Sequence, residues 1–372
     1  MGIPPLQKSR YFRAVRRPAG LFCHTLIAVF LSIGLPALAT AVEVPTLYTA
    51  RVPFDADADN PRNDAYELAL REILTRVSGA EFAGNQLAVE ELFPDPAGFV
   101  IQFRPGAEET LWVSFDGKAI EQTLRNAGQT VWGGDRPLTL VWLAVDWGQG
   151  RREIISADDP ERGQEVGRSI DLNKRLRERI LAIAEKRGLP LVFPLLDTTD
   201  LQAVTFSDIW GGFDERIIDA SERYDANSIL IGRIRPSPSR RENWSYYFGG
   251  AERSWNGPPE NIVTQVADLL AAEFAVGGNA PIETVRLNVS GIQTVQAYGS
   301  LQKLLAGASV IEGFAIIEVF GDRVSYRVDV RGGAGRLGRV LRFNGLIEQD
   351  RIARFGETQP DEDAVLEFFY SP

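Results

Sequence analysis

The sequence predicts an α/β (α+β) fold: a mixed-sheet α/β middle domain at residues 136–277, flanked by two β-α-β-β-α-β ferredoxin-like plaits at 44–133 and 281–355. Three observations predict it. Near-continuous apolar runs at 138–145 and 228–234 mark strands buried on both faces, and helical periodicity separates them. On either side, alternating and helical segments follow one another in the order of a split βαβ plait. Finally, 372 residues with 44% hydrophobic content are enough for two or three domains with their own cores.

In the first plait, residues 46–54 alternate like a strand, and Asp55, Asp57 and Asp59 lie in a polar turn. A helix follows with Ala65, Leu68, Ala69, Ile73 and Val77 on one face, ending near Gly79. Residues 99–104 and 111–115 read as a hairpin around Pro105-Gly106. Asp116 can cap a helix bearing Ile120 and Leu124, closed by Gly128, before a last short strand at 130–132.

In the middle domain, the strand at 138–145 leads into a polar loop to residue 167. Leu172, Leu176, Ile180 and Ile183 mark a helix, 191–196 a strand, 214–224 a helix and 228–234 a third strand. Strands separated by helices imply parallel pairing. Residues 243–248 and 251–255 read as an antiparallel pair, and a helix through Ile262, Val266, Leu270 and Phe274 closes the domain at Gly277-Gly278-Asn279.

The third module repeats the plait: a strand at 284–289, a helix at 294–305, a hairpin at 310–320 and 323–330, a short helix at 337–341 and a strand at 343–347. Residues 356–372 read as an acidic tail.

Residues 1–41 read as a secretory signal peptide. Lys8, Arg10, Arg13, Arg16 and Arg17 precede an apolar run at 21–35, and Ala37, Ala39 and Ala41 offer Ala-x-Ala cleavage after residue 39 or 41. The run is short of the roughly 20 residues of a spanning helix, so no stable membrane span is expected after cleavage. The expected location is the periplasm of a Gram-negative envelope.

Cys23, His24 and Met1 are the only residues of their types, and all three lie within that segment. Its removal excludes disulfides, cysteine nucleophiles, histidine bases and metal centres built on His or Cys. It also removes five basic residues and no acidic one, making the chain still more acidic than its full-length −10. A chain so acidic lacks the basic face that general nucleic-acid binding needs, and no cofactor is expected.

The segments Tyr48-Thr49-Ala50-Arg51-Val52-Pro53, Val113-Ser114-Phe115-Asp116, Arg136-Pro137-Leu138 and Trp142-Leu143 resemble the proteobacterial exported family known as domain of unknown function 2066. The resemblance implies location and architecture, with no activity. Tyr224-Asp225-Ala226 before the strand at 229–234, with Trp244 and Trp255 on a hairpin, is similar to the amino-terminal domain of the Tol translocation protein B and to activators of penicillin-binding proteins. That similarity implies a binding module.

Several motifs have a plainer reading. Gly333-Ala334-Gly335-Arg336-Leu337-Gly338 matches the dinucleotide fingerprint, but its strand alternates and only a short remainder follows, so it reads as a glycine-rich turn. The Asp55, Asp57, Asp59 alternation lacks the glycine and the bidentate glutamate of a calcium loop. Ser300-Leu301-Gln302-Lys303 has Ser-x-x-Lys spacing without its companion motifs, and reads as helix.

Two features point to partner binding. Eight arginines lie between residues 323 and 354, among them Arg336, Arg339 and Arg342, which read either as a solvated face or as a surface for an anionic partner or for the acidic tail. Trp244 and Trp255 are candidate apolar anchors. The expected function is a non-catalytic accessory protein that binds an envelope protein or a peptidoglycan component. The alternative is a carboxylate-dependent hydrolase of envelope glycan, a mechanism that needs neither His nor Cys.

Overall fold

Turn chemistry and alternation build the first module. The computed structural model describes residues 42–44, 46–79, 86–157, 169–236, 241–349 and 364–370. The signal-peptide reading at 1–41 lies outside these residues. β1 (Val42–Glu43) precedes β2 (Thr49–Pro53). Asp55 accepts the Asp57 N–H, an Asx turn that delivers the chain to α1 (Pro61–Ser78). Ala65, Ala69, Leu70, Ile73, Leu74 and Val77 form its buried face, whereas Leu68, expected there, is 49% exposed. Gly79 ends the helix in the left-handed region, φ 70°.

After α2 (Gln86–Leu92) and a 3-10 turn, β3 (Val100–Pro105) and β4 (Thr110–Phe115) form the hairpin. Asp116 accepts the Ala119 N–H and caps α3 (Gly117–Asn126). The sheet order β2-β4-β3, antiparallel throughout, is the split βαβ arrangement. Side chains of α1 and α3 pack on one face of it around Val52, Val113 and Phe115. The fourth strand departs from the expected plait. β5 (Thr130–Val131) leaves this sheet and pairs with residues 276–277, and β6 (Asp135–Arg136) pairs with β1.

The middle domain is built on β7 (Thr139–Gly148), buried along nearly its whole length. β8 (Arg151–Ile154) folds straight back on it, where a polar loop was expected. α4 (Ser169–Arg187) leads to β9 (Leu191–Val192), much shorter than the predicted strand. Then come α5 (Thr198–Ala203), α6 (Phe206–Gly211) and α7 (Asp214–Ser221); the first two were not predicted. β10 (Ser228–Arg235), β11 (Arg241–Phe248), β12 (Ala251–Asn256) and α8 (Pro259–Phe274) follow as expected.

The order is β12-β11-β10-β7-β8, with β9 also on β7. β7 runs parallel to β9 and β10, and the remaining pairs are antiparallel, so the sheet is mixed. Val141, Leu143 and Val145 face α4 and α8, whereas Leu140, Trp142 and Ala144 face α5 to α7. Burial on both faces is why this strand has no polar alternation. Each such fully buried side chain contributes about 1.5–3 kcal/mol of transfer free energy.

In the third module, β13 (Val276–Gly277) pairs with β5. β14 (Ile282–Ser290), α9 (Val295–Gly307), β15 (Ile311–Phe320), β16 (Arg323–Arg331) and α10 (Ala334–Phe343) follow the predicted order. Phe343 belongs to the helix, and β17 (Ile347–Glu348) is only a short strand. The acidic tail is the main correction. Its residues 364–369 are β18 (Ala364–Phe369), which lies parallel to β14 and separates it from β17. The sheet order is therefore β15-β16-β14-β18-β17. Phe368 drives the insertion: it is fully buried in the core between sheet and helices.

Residues Ala37–Pro372 form one compact unit, and a single core runs from β7, α4 and α8 into β14, β16 and α10. The expected linker at 277–279 is held within it: the Gly278 N–H donates to the Gln129 carbonyl, and Arg331 donates to the Gly278 carbonyl. No helix among the described residues is long and apolar enough to cross a membrane.

Candidate functional groove

The sequence-predicted residues divide between the core and a groove. Trp244, on β11, is 1% exposed, and its Nε1 donates to the Gly257 carbonyl at 3.0 Å. Its ring lies over Gly232, its register partner on β10; a Cβ there would come within 2.4 Å of the indole. Trp244 is therefore a core residue, and its reading as a surface anchor is corrected. Trp255 is partly buried and stacks on Tyr246 at 5.4 Å.

Arg336 is half-buried and makes a contact within the fold. It donates to the Ala275 carbonyl, and burial, with the Arg339 charge beside it, pushes its guanidinium below its ordinary range. Arg336 thus ties α10 to the end of α8.

Arg339 and Arg342 do come together. One turn apart on α10, they line a groove of 640 Å³ against α8 and the β11–β12 hairpin. It is larger than the cleft of 470 Å³ lined by Thr199, Asp200, Arg216 and Arg223. Arg253, on β12, adds a third guanidinium that the sequence reading missed, because nothing local distinguishes it from other exposed arginines.

The groove has an aromatic floor. Phe274 packs on Phe248 at 5.9 Å and on Phe343 at 5.0 Å, and Tyr246 continues the surface toward Trp255. Tyr246 accepts a hydrogen bond from Ser228, which accepts one from Thr139, so a chain of hydroxyls fixes its ring. Burial raises its pKa further, so the phenol stays neutral.

Charge in the groove is unbalanced. Glu273 lies 2.7 Å from Arg339 Nε, and Arg342 pairs with Glu348 on β17. Arg253 brings a further positive charge to the lining. These pairs are 40–47% exposed, so each is worth little and exchanges cheaply for another anion. Asn227 also lines the groove, and its Oδ1 is buried without a hydrogen-bond partner. Chemically, the arrangement can hold an anionic group over an apolar floor.

Elsewhere, Asp55 serves the turn before α1, and Ser300 and Lys303 are exposed on α9. Among the described residues, no group of three or more His, Cys, Asp or Glu is placed to hold a metal ion. Gly332 and Gly333 do make a strand-to-helix turn at positive φ, but the Glu283 carboxylate crowds it, 2.9 Å from where a Gly333 Cβ would lie. A carboxylate there repels a pyrophosphate.

Residues 41–133 match the family model of a domain of unknown function (DUF8605). The match covers about a quarter of the chain and corresponds to the first module. It agrees with the expectation of a family without assigned activity, but the family is not domain of unknown function 2066, and no similarity to the Tol translocation protein B was found. The chain matched no curated protein and no solved structure.

Proposed function

We propose that this protein is an exported, non-catalytic accessory protein of a Gram-negative envelope, and that it binds an envelope protein or a peptidoglycan component through the α8–α10 groove. The observation that carries this reading is the juxtaposition of Arg253, Arg339 and Arg342 over an aromatic floor. Guanidinium groups recognise carboxylates in bidentate fashion, and aromatic side chains are strong binding anchors. Acidic protein segments and the peptide stems of peptidoglycan both carry carboxylates.

The competing reading is a carboxylate-dependent hydrolase. Such an enzyme needs two inward carboxylates, about 5–10 Å apart. The groove lining supplies one, Glu273, beside Arg339.

The test is incubation of purified protein with soluble peptidoglycan fragments and with whole sacculi. The expected result is retention without turnover, lost when Arg253, Arg339 and Arg342 are all changed to Gln, or no retention and selective capture of an envelope protein by the wild-type groove alone. Product formation that disappears on Glu273→Gln supports the hydrolase instead.

A further inference from the structure

Two arginines and two aromatic rings converge on one carboxylate at the carboxyl ends of β7 and β10. These strands run parallel and adjacent, in register from Ser228↔Thr139 to Ile234↔Val145. α4, which follows β7 and β8, packs on one face of the sheet, and α5 to α7, which lead into β10, pack on the other. Where crossovers take opposite faces, open α/β sheets leave a crevice at the carboxyl ends of their strands, and ligands bind there.

Asp146 lies at the end of β7 and is 7% exposed. Its Oδ2 accepts from Arg235 at 2.7 Å and stands 3.7 Å from Arg152 Nε, while its Oδ1 accepts the Gly148 N–H. The Arg235 guanidinium sits over Trp210 at 5.3 Å, and that of Arg152 over Phe206 at 5.9 Å. The two rings stack on each other at 5.3 Å, 17° from parallel.

Among the described residues one carboxylate thus serves two guanidinium groups, two positive charges against one negative. Both arginines face solvent, at 48% and 61% exposure. On the same strands Arg233 pairs with Asp214, and Glu153 accepts from Asn173.

We propose that this cluster is a second binding site, for a phosphate or carboxylate group carried on a planar or apolar body. The guanidinium forks match two oxygens of such an anion. Stacking on Trp210 and Phe206 holds the fork planes, and the rings offer the body an apolar contact. Asp146 holds the two cations side by side before the anion arrives. The cluster shares no residue with the α8–α10 groove.

The experiment uses the full chain, with phenyl phosphate and benzoate as probes, read by thermal melting and tryptophan fluorescence. Phenyl phosphate, benzoate or both should raise the melting temperature saturably, and Arg152→Gln or Arg235→Gln should weaken the apparent affinity about tenfold. A response to phenyl phosphate alone assigns the site to phosphates, and an equal response to benzoate assigns it to oxyanions generally. Because the α8–α10 groove also presents arginines over aromatic rings, the probes are titrated as well in the Arg253→Gln/Arg339→Gln/Arg342→Gln background, where a saturable response that is lost on adding Arg152→Gln and Arg235→Gln should remain. If Arg235→Gln alone lowers the melting temperature by stranding Asp146, Asp146→Asn/Arg235→Gln removes both partners and must still lose the response. The proposal is overturned if neither probe acts, if the Arg152→Gln/Arg235→Gln double variant responds like wild type, or if sodium chloride at matched ionic strength reproduces the effect.

Discussion

Arg136 is fully buried, and none of the ion pairs among the described residues involves it. It instead donates to five carbonyls: Gly133, Arg187, Gly188, Arg76 and Trp132. Its guanidinium also lies 3.9 Å from the Trp132 ring centre. Burial pushes its pKa down to about 9, still well above neutrality, so the charge persists and binds three chain segments together. Arg136→Ala strands those carbonyls and opens a cavity, and should cost about 3–5 kcal/mol in urea unfolding. Arg136→Lys should rescue only part of it, because an ammonium cannot span the same fork. A loss under 1 kcal/mol for Arg136→Ala contradicts this role. In the sequence, Arg136 was legible only as a boundary residue, since three of its five partners are backbone atoms 51–60 positions away. Trp244 was misread for a similar reason: its burial depends on Gly232 across the sheet, which spacing along one strand does not reveal. Gly79 was legible as a helix stop, but not its second role. A Cβ there would meet Ala271 of α8 at 2.6 Å, so Gly79→Ala should destabilise by more than the roughly 1 kcal/mol of a backbone penalty alone, measured by the same unfolding curve.

Among the elements, α5 and α6 are short helices closed by side-chain caps. Asp197 accepts the Asp200 N–H, and Thr205 and Asp208 form a reciprocal capping box at α6. The hydrogen bond from Arg223 holds the Asp197 carboxyl well below its usual range, and Thr205 does the same for Asp208, helped by Arg216. Folded pKa values below the unfolded ones mean stability that is present above about pH 4 and lost as pH falls through the folded values. Hydrogen exchange on acidification should therefore open α5 and α6 before α8 or β7; simultaneous opening contradicts the assignment. Thr205→Ala should cost about 1 kcal/mol at neutral pH. Glu72 on α1 acts in the opposite sense. Burial raises its pKa despite the opposing charge of Arg76, so it costs stability as pH rises above about 4.5. Long periodic elements such as α1, α8 and β10 were legible because a buried stripe repeats along them. Six residues give too few turns for a stripe, which is why α5 and α6 were missed. β18 was missed because Glu367, paired with Arg323, broke its apolar pattern.

At the scale of the whole molecule, sequence periodicity identified the α+β class and most of the element order, but not how the modules join. β5 exchanges its own sheet for β13, and the core of the middle domain continues into the third module. Residues 277–279 should therefore resist limited proteolysis, and the middle and third modules should unfold in one transition. Cleavage there under native conditions, or two separate transitions, contradicts the shared core. The groove depends on the same junction, since α8 and the β11–β12 hairpin supply one wall and α10 the other. No single segment of the sequence contains it, so the arginine-rich stretch was legible as chemistry while the site was not. The most direct test of the central claim is photo-crosslinking in living cells, with a photoreactive residue placed at Ala251 in the groove or at Glu222 as a control. A discrete envelope adduct from position 251 alone, abolished when Arg253 and Arg339 are both changed to Gln, is the predicted result. No adduct from position 251, or the same adduct from both positions, would contradict it.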